Sequence, residues 1–406
     1  MARPRTKVSN VRVAGPLAPW VEEFRLRLAD LGYTPLSAAV QLRLVAQLSR
    51  WLEAGGLSTA DLTEGRAEEF LAARRAAGYT ALISRRGLVP LLEFLNSRGE
   101  VPVAVPSAPA SRTDEVLAAF RRYLLTERGL AVSTTTAYVL RARRFMTACA
   151  CDGQLDLLTT ADVSRAVLAE TSALSSVGST QMFVVALRAF LRFCHIEGLV
   201  GADLSGAALT ATGRRSTSLP RGLSASDTRA LLGSCDRRRA IGRRDYAVIV
   251  TLLRLGLRAS EVAALRLDEI DWRAGEIVVH GKGRRDERLP LPVDVGEAIT
   301  GYLQRGRPKT DRREVFVTAI APTTAMTGRA VSLIVRRAGV RAGLPPVGAH
   351  LLRHTLACEM VQAGVPLPEI GQVLRHRSLI STSIYARVDV ETLRTLAQPW
   401  PEGARS

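Results

Sequence analysis

RRDYAVIVTLLRLGLRASEVAALRL, residues 243–267, reads as one apolar helix, a stop and the start of a second helix. The apolar run closes at Gly256, a residue suited to a helix end. Arg258 and Glu261 open the next helix. Positions three apart share a helical face, so Glu261 is placed to brace Arg258 or a neighbouring amide. An arginine at a helix start can turn its planar fork toward a phosphate while the first amides add positive potential. The stretch predicts a helical core with an anion-seeking cation at its rim.

Upstream, Ser224-x-x-Asp227 precedes Leu231-Leu232, the pattern of a capped helix. Downstream, GEIVVHGKGRRDERLPLP (275–292) alternates apolar and polar residues around Gly281-Lys282-Gly283, which predicts a β-hairpin with Lys282 in its turn. The spacing Gly275-x5-Gly281-Lys282-Gly283 imitates a nucleotide-binding loop only superficially. It has one residue too many, lacks the Ser or Thr, and sits in a strand pattern, so ATP is not implied. Lys282 stands out for another reason. Of 56 basic residues only Lys7, Lys282 and Lys309 are lysine. A lysine, with a pKa of about 10.4, can donate a proton that the far more basic arginine holds.

Two further strings follow. GAHLLRHTLACEM (348–360) sets His350 and Arg353 three apart on one helical face, with Leu351 and Leu352 turned elsewhere. IGQVLRHRSLISTSIYARV (370–388) places His376 just after a short helix and Tyr385 nine residues later, with Ser381, Thr382 and Ser383 offering a cap to a helix that carries the tyrosine.

Together these strings resemble the catalytic domain of the tyrosine recombinases, also called the phage integrase family, over nearly all of residues 220–390. The resemblance implies a catalytic set of Arg258, Lys282, His350, Arg353, His376 and Tyr385, with Glu261 and His354 in support. Tyr385 would be the nucleophile, Lys282 the acid that protonates the departing 5′ oxygen, and His350 the group that assists proton transfer at the tyrosine. Arg258, Arg353 and His376 would stabilise the nonbridging oxygens. His354 reads as packing or hydrogen-bonding support. Such chemistry needs neither metal nor ATP, and no cofactor is expected. The resemblance further implies double-stranded DNA at specific sites as partner, a dimer on each site and a tetramer around two sites, with other recombinases of the same element as candidate partners.

Charge points the same way. The formal charge of +18 calls for a polyanion, because basic side chains that neutralise phosphates release condensed counterions. Arg214, Arg215 and Arg221 in one linker, and Arg284 and Arg285 beside the hairpin turn, are candidate DNA contacts. A basic membrane-surface protein would be charged likewise, but no long apolar run, secretory signal or lipidation signal is evident. The chain is expected to be soluble, cytoplasmic and associated with a bacterial nucleoid. Cys149, Cys151, Cys194, Cys235 and Cys358 form no C-x-x-C pair and read as reduced core residues, with no structural metal.

A chain of 406 residues is too long for one core. Residues 1–16 read as a disordered basic tail, 17–100 as a helical domain, 101–112 as a Pro/Ala/Ser linker, 113–203 as a second helical domain, 204–222 as a linker, 223–390 as the catalytic domain and 391–406 as a tail that either contacts a neighbouring protomer or folds back on its own domain. The two helical domains look like copies at a period near 100 residues. Gly32 matches Gly129, Ala60-Asp61 matches Ala161-Asp162, Gly78 matches Gly178, Phe94 matches Phe190 and Gly99 matches Gly198, with Thr59 and Thr160 as helix caps. The second copy resembles the core-binding, SAM-like domain of the recombinases, and the first is an extra copy. The fold class expected is mainly α, with two tandem helical bundles and a small β-sheet in the catalytic domain.

Two rival functions remain open at this level. A type IB topoisomerase uses the same tyrosine chemistry to relax DNA, and a non-catalytic relative would bind DNA as an accessory protein. A metal-dependent transposase would need three spaced carboxylates, and no such set with supporting context is present.

Overall fold

The computed structural model describes residues 11–101, 111–149, 154–173, 177–209, 222–281, 286–375 and 382. The described residues form two compact units, one holding residues up to 101 together with those from 222 onward, the other holding 111–209.

In the first unit, the N-terminal portion packs α1 (Val21–Asp30), α2 (Pro35–Ala54), α3 (Glu64–Ala76) and α4 (Val89–Ser97). Leu17, Phe24, Leu28, Leu48, Leu52, Phe70 and Phe94 fill its core. Val11 and Val13 pack against that core, and Ser49 Oγ donates to the Ala14 carbonyl at 2.6 Å, so residues 11–16 belong to the bundle and not to the tail read from sequence. Their apolar side chains outweigh the basic neighbours that suggested disorder.

The second unit packs α5 (Arg112–Thr126), α6 (Val132–Ala148), α7 (Thr160–Ala173) and α8 (Val177–Ile196) around Phe120, Phe145, Phe190 and Phe193. Phe120 meets Phe190 edge to face at 5.1 Å. The linker expected from 204 starts later. A 3-10 turn at Leu204–Ala207 folds onto α7 and α8, and Leu204 and Ala208 are buried in the core.

The two bundles share a plan. Gly32 and Gly129, both at positive φ, follow α1 and α5, while Gly99 and Gly198, also at positive φ, follow α4 and α8. The matched aspartates are cap partners, but the caps lie one residue before Thr59 and Thr160. The Ser58 amide and hydroxyl donate to Asp61 at 2.8 and 2.7 Å, and the Thr159 amide and hydroxyl donate to Asp162 at 3.0 and 2.6 Å. One correspondence fails. Gly78 ends α3 at positive φ, whereas Gly178 lies in the first turn of α8.

The C-terminal portion is built around α10 (Ala240–Leu255), which packs against α9 (Ala225–Gly233), α11 (Ala259–Ala264), α12 (Val293–Arg305), α13 (Gly328–Arg341) and α14 (Ala349–Gln362). Burial on every side explains the apolar stretch that follows Tyr246 in α10: Ala247, Val248, Ile249 and Leu252 have no exposed surface. Each such aliphatic side chain contributes about 1.5–3 kcal/mol, except the smaller alanine. Ser224 caps α9 by accepting from the Asp227 amide at 3.0 Å. The α10 helix stops because Gly256 turns left-handed, at φ 57°. A short α15 (Leu367–Val373) closes the portion against α14.

The expected hairpin is an antiparallel pair, β2 (Glu276–His280) and β3 (Asp286–Pro290), in register Ile277↔Leu289 and Val279↔Glu287. A third strand, β1 (Ile270–Asp271), extends it to the order β1-β2-β3. Two residues are too few for alternation to reveal that strand in the sequence. Within the first unit, the amide of Thr323 donates to the Leu31 carbonyl at 2.8 Å, and a Cβ on Gly32 would lie 2.5 Å from Thr323 Oγ1.

Candidate active site

Arg258 stands at the N-cap of α11, where its own amide donates to Glu261 Oε2 at 2.8 Å and its Nη1 donates to Oε1 at 2.6 Å. Glu261 braces both groups that the three-residue spacing offered it. The carboxylate is 4% exposed and the Arg258 side chain 41% exposed, so a buried anion holds a cation that reaches the surface. Burial alone would raise the Glu261 pKa, yet the Arg258 amide and the Arg375 and Arg258 guanidiniums bring it below the ordinary carboxylate value.

Arg353 lies on α14, 2% exposed. Its Nη1 donates to the Gly256 carbonyl at 2.5 Å, and its Nη2 donates to the Leu374 carbonyl. Those acceptors are the carbonyls of the residues that cap the C-terminal ends of α10 and α15, so Arg353 ties two helix ends to α14 with charge-assisted bonds. His350 sits one turn before it. Loss of water on its packed side, then the Arg353 and Arg258 cations, hold its pKa below 6.5. His354 meets the His350 ring edge to face at 4.4 Å, and burial, His350 and Arg353 bring its pKa down to about 4. Both imidazoles are therefore neutral near pH 7.

The structure thus gathers Arg258, Glu261, His350, Arg353 and His354 at one place. Lys282, His376 and Tyr385 lie outside the described residues, as do Arg214, Arg215, Arg221, Arg284 and Arg285. The elements on either side of Lys282 are in place. His280, at the end of β2, holds Asp286 through Nδ1 at 2.5 Å and Glu269 through Nε2 at 2.6 Å. These two carboxylates raise the His280 pKa. Of the three residues read as a cap for the tyrosine helix, Thr382 is described, buried at 2% with its hydroxyl close to Gly371 of α15.

One residue escaped the sequence reading. Arg375 follows α15 in the left-handed region at φ 53°, with its side chain 5% exposed. Its Nη2 donates to Glu261 Oε2 at 2.8 Å, and its Nε lies 3.6 Å from Glu287 Oε2 on β3. Arg375 stood in the string LRHRS beside His376, but nothing local to that string points it inward at a residue 114 positions earlier.

A site with two clamped guanidiniums and neutral imidazoles can bind a phosphate and move a proton. Known proteins similar to this chain identify its family. The phage integrase family profile matches residues 221–392. A Sinorhizobium fredii protein named as an integrase/recombinase, y4rA, is 39% identical over 398 residues, 96% of this chain and 96% of that protein. Tyrosine recombinase XerD of Mycobacterium tuberculosis is 31% identical over 294 residues, 67% of this chain and 92% of its own length. Among solved structures, XerH site-specific recombinase bound to its palindromic difH substrate overlays at a TM-score of 0.54 with 18% identity, over 73% of this chain and 99% of that one, a likeness of fold alone. The chain belongs to the tyrosine recombinase, or phage integrase, family of DNA strand-transferring enzymes.

Proposed function

We propose that this chain is the site-specific recombinase of a mobile element, cutting and rejoining DNA through a 3′-phosphotyrosine. Tyr385 Oη attacks the scissile phosphorus as the bond to the 5′ oxygen breaks. The tyrosine proton passes to His350, whose neutral imidazole has the lone pair to accept it, and Lys282 delivers a proton to the departing 5′ oxygen. Arg258, Arg353 and His376 take the charge that builds on the nonbridging oxygens, where loss of one donor costs roughly a hundred- to a thousand-fold in rate. Bond energy is kept in the phosphotyrosine, so religation needs no metal or ATP. A second round of exchange resolves a Holliday junction.

The observation that carries this reading is that Arg258, two residues past Gly256, and Arg353, bonded to the Gly256 carbonyl, are each held by a fixed partner at the end of α10. Relatives lend it support. Lambda integrase is seen as a dimer on a core site, and the Tn1549 transposon integrase with circular intermediate DNA, which fits a dimer on each site and a mobile element; two such sites brought together would make the synapse a tetramer. The domain division proposed with it is two tandem core-binding bundles before a catalytic domain from about residue 223, the first being an extra copy. Arg214, Arg215, Arg221, Arg284 and Arg285 would track the DNA backbone, and residues 391–406 would dock on a neighbouring protomer. The arrangement acts in the bacterial cytoplasm on nucleoid DNA.

The test is incubation of the full chain, without metal or ATP, with nicked duplexes from the ends of its own genetic element, followed by a denaturing gel. A covalent adduct that disappears in Tyr385→Phe is expected. Tight, salt-sensitive binding without an adduct would replace the reading with an accessory role, and relaxation of any supercoiled DNA would replace it with a topoisomerase.

A further inference from the structure

Glu261 is a buried carboxylate shared by two arginines that reach it from opposite ends of the catalytic portion. Arg258 comes from its own helix and Arg375 from the turn after α15. With Arg258 alone, the pair would be neutral and the surface-reaching fork would be drawn back onto its carboxylate. With Arg375 added, the Glu261 charge is shared between two guanidiniums, and Arg258, 41% exposed against 5% for Arg375, is the one that faces outward.

The setting of Arg375 is costly, and fold stability does not account for it. Its backbone takes a conformation that glycine adopts freely and an arginine rarely does. Its guanidinium is nearly out of water, and burial lowers its pKa. Nε and Nη1 are buried without a hydrogen bond among the described residues. An ion placed this way is weak evidence for stability and is better explained by what it holds in position. Its carbonyl also receives the Arg258 Nη2 at 3.5 Å, so backbone and side chain of one residue contact both members of the Arg258–Glu261 pair.

We infer that Arg375 is a positioning residue of the strand-transfer site: through Glu261 it fixes the Arg258 fork and leaves that fork's charge available to the scissile phosphate. The inference rests on the reading of Arg258 as a phosphate clamp. Glu287, 3.6 Å from Arg375 Nε, ties the same cation to β3, the strand that follows residues 282–285.

The experiment compares single-turnover adduct formation by the full chain on a nicked duplex carrying either a normal phosphodiester or a neutral methylphosphonate at the scissile position. Arg375→Gly keeps the left-handed backbone without strain and removes the cation, Arg375→Lys keeps a charge, and Arg258→Ala runs alongside. Arg375→Gly is expected to slow phosphodiester cleavage about tenfold to a hundredfold with DNA affinity changed by less than about threefold. On methylphosphonate, where no negative charge needs a clamp, the deficits of Arg375→Gly and Arg258→Ala should both shrink, and Arg375→Lys should recover part of the rate. An Arg375→Gly variant that cleaves phosphodiester at the full rate, or is equally slow on both linkages, would overturn the inference while leaving Arg258 in its role. A fully active Arg258→Ala would instead remove the reading beneath it.

Discussion

The Arg353 guanidinium donates to the carbonyl of Gly256 at 2.5 Å, which joins a helix-borne cation to the left-handed end of the central helix. Gly256 thus serves twice, as the stop of α10 and as an acceptor that aims Arg353.

The first prediction concerns that glycine. A Cβ at Gly256 would sit 2.8 Å from Leu374 Cδ2 and 2.9 Å from Leu356 Cδ2, at a φ of 57°. Gly256→Ala should therefore destabilise the fold by about 2–4 kcal/mol, combining left-handed strain with overpacking. Urea unfolding checks it, and an unchanged midpoint would contradict the packing described.

Arg353 itself should resist conservative exchange. One ammonium cannot reproduce a planar fork that reaches the Gly256 and Leu374 carbonyls at once. Arg353→Lys is expected to lower adduct formation by roughly a hundredfold or more. It should also cost about 1–3 kcal/mol in stability by leaving a buried acceptor unpaired. An active, equally stable lysine variant would mean that the fork is not required.

Acid should weaken the site through its histidines. His354 titrates at about 4 in the folded chain against 6.5 as the ordinary value, so between those pH values the unfolded chain binds a proton that the folded chain refuses. Stability then rises with pH across that window and is lost as pH falls from 6.5 toward 4. His354→Gln should flatten the slope, removing about 1–2 kcal/mol of acid sensitivity after screening. In parallel, the single-turnover rate should fall only below the ordinary histidine range, because the His350 pKa is lowered too. A rate that is already half-lost above pH 6.5 would argue against His350 as the proton acceptor.

His280 should show the opposite sign. Its pKa is raised by hydrogen bonds to Asp286 and Glu269, so its contribution is complete below 6.5 and is lost as pH rises through the higher folded value. The difference in melting temperature between the wild-type chain and His280→Ala should be largest in mild acid and shrink on the alkaline side. A difference that grows with pH would place the proton elsewhere.

Much of this protein was legible along the chain because the signals are local. The end of α10 at Gly256, the Ser224 cap and the β2–β3 pairing each depend on residues within one element or one turn of each other. Hydrogen-bond geometry and steric preference over a few residues determine such features wherever the segment sits. The strings that bear Arg258, Lys282, Arg353 and Tyr385 likewise carry the family resemblance in residue order. Tertiary structure decided the rest. Arg353 ends on carbonyls 97 and 21 positions away, and Glu261 is shared with an arginine 114 positions later. Burial of Leu204 and Ala208, and the packing of Val11 and Val13 against their core, depend on which surfaces remain uncovered once the helices have packed. Periodicity shows which face of a helix is apolar, but the partner of a buried charge is set by long-range packing, where the cost of an unpaired ion selects the arrangement.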